Sequence, residues 1–97
     1  MNDYISSLIA NAGGDRCPTA SAGSGTATIG LHGGNSTNSA GSITSYQWNW
    51  TGLSSGSATG VSPNITLAPG LYNVVLTVTG SGGDTNTDDM VIRVNAP

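Results

Sequence analysis

The chain has 97 residues, enough for one domain around one core, and dividing it would leave each half too small to bury sufficient apolar surface. Its 15 glycines, its many Ser, Thr and Asn residues and its complete lack of Lys and Glu favour strands and turns over helices, so the expected class is all-β. Charged residues make up 7% of the chain and the net charge is -3, with Arg16 and Arg93 as the only arginines, which excludes a nucleic-acid partner that would need many cations against phosphate.

In chain order, residues 1–10 stand apart. Tyr4, Ile5, Leu8 and Ile9 lie at helical spacing behind the potential caps Asn2 and Asp3, in a segment too short to hold a helix alone. The segment lacks the basic start and continuous apolar core of a signal peptide, and no run reaches the roughly 20 apolar residues of a membrane span, so membrane insertion is not expected. The expected division is therefore an N-terminal docking arm, 1–10, and a β domain, 11–97. Either the segment packs on the sandwich or it docks on something else; in the preferred, docking reading Tyr4, Ile5, Leu8 and Ile9 are the contacts to other protein subunits.

The strand signals follow. Ala27, Ile29 and Leu31 alternate with Thr28, Gly30 and His32, and residues 33–42 form a Gly/Ser/Asn loop or weak edge. Residues 43–51 make the next strand, residues 53–63 are Gly/Ser-rich, and Ile65 and Leu67 form a short inward pair. Beyond Ala68-Pro69-Gly70 the period of two is clearest. Tyr72, Val74, Leu76 and Val78 share one face, Ser81 to Asp84 supply a turn, and Met90, Ile92 and Val94 alternate on the returning strand, which predicts an antiparallel hairpin. Short strands separated by turns predict a two-sheet antiparallel sandwich.

Few residues here could carry chemistry. His32 falls on the outward side of a strand, with no adjacent acid, base or nucleophile, so no catalytic residue is expected and the chain is not read as an enzyme. Asp84, Asn86 and Asp88 form D-x-N-x-D, the first half of a calcium loop. Asp89 and Asn95 occupy the places where an EF-hand needs Gly and a bidentate Glu, which excludes that motif. No cofactor is expected, the acids serving to solvate a turn and an edge strand; a looser calcium site joining these oxygens to Asp15 is the alternative. Cys17 is the only cysteine, so no internal disulfide forms. The three N-x-S/T triplets at Asn35, Asn49 and Asn64 arise readily by chance in such a composition.

The aromatic side chains concentrate in SYQWNWTG, residues 45–52. Tyr46, Trp48 and Trp50 are two apart and share a face in a strand. Each buried aromatic removes about 150–250 Å² from water, so a core poor in large side chains needs Tyr46 and Trp48 inside. Trp50, near the strand end, reads first as core or rim, and as the alternative it is an exposed stacking contact with a surface glycan or a partner protein.

Five segments in order carry a resemblance: ANAGGD at 10–15, IGLHGGNST at 29–37, ITSYQWNW at 43–50, PGLYNVVLTVTGSGG at 69–83 and DTNTDDMVIRV at 84–94. Together they resemble the polycystic kidney disease (PKD) type of immunoglobulin-like domain over residues 10–94. The family's Gly-Asp-Gly turn after its Trp is replaced here by Asn49-Trp50-Thr51-Gly52, so nothing resting on an acidic turn carries over. The resemblance implies a sandwich of about seven strands, extracellular or surface-displayed, acting as a non-catalytic spacer, adhesion or contact module. Two roles follow as expectations. The first is a small virion protein, such as a capsid decoration, or an extracellular-assembly protein that docks through its arm; the second is a carbohydrate- or protein-binding accessory module of a secreted enzyme or adhesin.

Overall fold

The computed structural model describes residues 8–39 and 41–97. Among them are eight strands and no helix: β1 (Leu8–Ile9), β2 (Ala27–Gly30), β3 (Thr37–Asn38), β4 (Ile43–Gly52), β5 (Gly56–Thr59), β6 (Asn64–Leu67), β7 (Gly70–Gly80) and β8 (Thr85–Val94). The strands form a four-stranded sheet in the order β5-β4-β7-β8 and the pairs β2-β6 and β1-β3, every ladder antiparallel.

The period of two places the core. Tyr72, Val74, Leu76 and Val78 of β7 are buried, as are Met90, Ile92 and Val94 of β8 and Trp48 of β4. From the other layer Ala27, Ile29, Ile65 and Leu67 of the β2-β6 pair join the same hydrophobic cluster. Burying one such aliphatic side chain contributes about 1.5–3 kcal/mol, so this shared cluster is the main source of stability. Two inward faces meeting over one core are consistent with a β-sandwich.

The aromatic end is closed by fixed contacts. Trp48 is fully buried and its indole Nε1 donates to the Gly60 carbonyl oxygen at 2.9 Å. Gly33 lies between the rings: a Cβ there would stand 3.1 Å from both Tyr46 Cδ2 and Trp48 Cζ2. At the opposite side of the core Tyr72, also buried, donates its hydroxyl to the Ala68 carbonyl oxygen at 2.7 Å, tying the start of β7 to the corner that leads out of β6.

The N-terminal segment departs from the sequence expectation. Tyr4 and Ile5 lie outside the described residues, but Leu8 is 1% exposed within the core cluster, and Ala10 and Ala12 are buried with it. Leu8 and Ile9 are extended and pair with Asn38 and Thr37. The described part of the expected arm is thus built into the domain. Helical spacing gave way because one residue of the pair could enter the core only if the backbone alternated, leaving Ile9 57% exposed. The chain then runs parallel to β8, with bridges Arg16 to Ile92 and Thr19 to Asn95.

Candidate functional site

Of the sequence candidates, Leu8 and Ile9 lie on the strap formed by residues 8–20, and Asn86 and Asp88 lie on β8, whose edge it covers. β8 pairs with β7 so that Asn86, Asp88, Met90 and Ile92 share the inward parity. Its outward-edge backbone groups belong to the alternate residues, and the strap meets them. Arg16 N–H donates to the Val91 carbonyl at 3.0 Å, Arg93 N–H to the Arg16 carbonyl at 2.8 Å and Asn95 N–H to the Pro18 carbonyl at 2.8 Å.

Nearer the chain start side chains replace the ladder. Ala10 N–H donates to Asn86 Oδ1 at 2.9 Å, and Ala12 N–H donates to Asp88 Oδ2 at 2.8 Å. From the other side Asn11 N–H donates to the hydroxyl of buried Ser36 at 2.8 Å. Asp15 Oδ1 accepts Val91 N–H at 2.9 Å, and Arg16 reaches across with Nη2 to the Gly30 carbonyl at 3.1 Å, joining strap, β8 and β2.

The calcium candidates are thereby accounted for. Asn86, Asp88 and Asp15 each turn an oxygen to a backbone N–H, and Asp15 sits at Val91, farther along β8 than Asp88. Asp84 lies in the turn before β8. Among the described residues no three His, Cys, Asp or Glu side chains gather at one point, and no buried side-chain N or O lacks a hydrogen-bond partner. The alternative of a calcium site that joins Asp15 to Asp84, Asn86 and Asp88 finds no such gathering of carboxylates among the described residues; Asp15, Asn86 and Asp88 anchor the strap.

Trp50 is half-buried rather than displayed. It shares the inward face with Trp48, packs against the core cluster and lies over Gly56 of β5, its cross-strand partner, where a Cβ would stand 2.5 Å from Trp50 Cζ2. An aromatic covering a glycine on an edge strand shields both from water. His32 and Cys17 are exposed, and no pocket is present among the described residues.

The exposed large apolar side chains are Ile9, Leu53, Val61, Leu71 and Val91. They divide between the ends of the four-stranded sheet. Leu8, next to Ile9, adjoins Gly80, whereas Leu53 adjoins Gly70 and Leu71 follows it. No helix among the described residues is long and apolar enough to cross a membrane. No protein-family model matches the chain, and no curated protein matches it.

Proposed function

We propose that the chain is a non-catalytic structural module of the PKD or immunoglobulin-like kind, held by its N-terminal end in a larger assembly and presenting its opposite end outward. The fold-type part of this reading is supported by wiring: β4, β5, β7 and β8 make one sheet, β2 and β6 belong to the facing layer, a buried Trp48 sits on β4, and Tyr72 closes a tyrosine corner onto Ala68.

The observation that carries the functional part is where the described domain begins and where its last strand ends. Leu8 enters the fold beside Gly80, and β8 leaves it at Val94, which pairs with Gly70. Gly70 and Gly80 are the two ends of the 11-residue β7, about 33 Å apart at about 3.3 Å per residue. A module entered at one end and left at the other suits a spacer, which supports this reading. Ile9 stays on the surface at the entry end, next to the segment carrying Tyr4 and Ile5, so these three side chains are the proposed docking contacts. Leu8, included among them on sequence, serves the core instead.

A virion surface or an extracellular assembly is the setting proposed for such a module, since its polar, sparsely charged surface suits exposure and it offers no cationic face to nucleic acid. The alternative, a carbohydrate-binding accessory module, had Trp50 as its stacking contact, and the position of that indole over Gly56 favours the structural role.

Co-sedimentation tests the proposal. The full chain, expressed in its source, is expected in a particle fraction of a density gradient, and a chain beginning at Leu8 is expected to stay folded but remain in the free-protein fraction. A full-length chain that stays free, or a shortened chain that still co-sediments, overturns it.

A further inference from the structure

The two edges of the four-stranded sheet are treated differently. The β8 edge is covered by the chain's own residues 16–20 through four backbone hydrogen bonds, whereas no described strand pairs with the outer side of β5. The parity of that open edge follows from the ladder. Gly60 N–H donates to the Tyr46 carbonyl at 3.1 Å, so with Gln47 opposite Thr59 the backbone groups of Ala58 and Gly56 turn toward β4. The N–H and C=O groups of Ser57 and Thr59 therefore point away from the sheet.

Natural edges are guarded by Lys, by Pro, by inward charges or by bulges. The sequence of β5, Gly-Ser-Ala-Thr, has none of these, and its four-residue length is its one guard. The whole run of residues 33–83, which includes β4, β5, β6 and β7, contains no Asp, Glu, Lys, Arg or His. The acidic residues of the described chain, Asp15, Asp84, Asp88 and Asp89, lie on the strap and on or beside β8, at the far edge.

We propose that β5 is a self-association edge, pairing antiparallel with β5 of a second copy about a two-fold axis at Ala58. In that register Ser57 of each copy exchanges both backbone bonds with Thr59 of the other, four bonds in all, and the two sheets become one of eight strands. The charge distribution selects this occupant. With β8 outermost on both sides, the two acidic edges lie seven strand spacings apart, about 34 Å, well beyond the ~10 Å screening length in ordinary salt. A second copy therefore meets β5 without like-charge repulsion, and pairing through the β8 edge is blocked by the strap. Four residues per copy make a small contact, so the dimer is weak and reversible.

Sedimentation velocity of the full chain in reductant, which keeps exposed Cys17 from forming disulfides, tests this from micromolar to millimolar concentration. The weight-average mass is expected to rise toward that of a dimer. Ser57→Pro removes an N–H that faces away from β4 and serves no bond among the described residues, and it should weaken association at least about tenfold while leaving circular dichroism and Tm unchanged. Thr59→Lys, which adds charge beside the axis, should do the same. In hydrogen exchange the amides of Ser57 and Thr59 should slow with concentration. A mass that stays monomeric throughout, association undiminished in both folded variants, or concentration-dependent protection confined to β8 overturns the proposal.

Discussion

Tyr72 and Ala68 are four residues apart, yet the buried phenol of the first reaches back over the corner to the carbonyl of the second at 2.7 Å. That bond ties the start of β7, one of the two inner strands of its sheet, to the turn that follows β6. Tyr72→Phe keeps the ring and removes the donor, leaving the Ala68 carbonyl without this partner. The expected loss is about 1 kcal/mol, seen as a lower urea midpoint with an unchanged m-value.

Leu8 belongs to the core, and its removal should be felt as a core deletion. Leu8→Ala is expected to cost about 2–5 kcal/mol in chemical unfolding. Deleting residues 1–7 should leave the unfolding midpoint of the remaining chain nearly unchanged.

The carboxylate of Asp88 holds the strap through Ala12 N–H, and the amide of Asn86 holds it through Ala10 N–H. Asp88→Ala should destabilise the fold by about 1.5–3 kcal/mol, the range for a hydrogen bond to a charged group, and should speed exchange of the Ala12 amide in particular. With these oxygens occupied by backbone donors, millimolar calcium or its removal with a chelator should leave Tm where it is.

Trp50 is expected to report on stability. Trp50→Ala should cost about 2 kcal/mol, roughly half the figure for a wholly buried tryptophan, because the indole is half-exposed and covers Gly56. Trp50→Phe should restore much of the loss, as measured by thermal unfolding.

The parts of the fold legible in the sequence are those where a face is bought by strict alternation. β7 and β8 show Tyr72, Val74, Leu76, Val78, Met90, Ile92 and Val94 at a period of two, and each is buried. β5 was hidden because Gly-Ser-Ala-Thr has no apolar alternation; it becomes a strand by pairing with β4, whose Trp50 covers its glycine. The pair Leu8 and Ile9 read as helical because two adjacent apolar residues fit a helix face, and only the tertiary fold, with a vacancy in the core for one of them, decides for a strand. What Asn86 and Asp88 do instead of forming a calcium loop could have been read from strand parity. Asn86 and Asp88 share the parity of Met90, so they face inward toward the strap, and strand parity would have separated them from a solvent-facing ion loop.

The orientation in the assembly is tested most directly by differential labelling. In a Cys17→Ser background, Ile9→Cys and Leu53→Cys place a thiol at the entry end and at the far end, both at exposed positions. Maleimide reactivity is compared between the particle-bound and the free protein. The account predicts strong protection of position 9 on assembly with position 53 as reactive as in the free chain; equal reactivity at both positions, or protection at 53 with 9 left open, would contradict it.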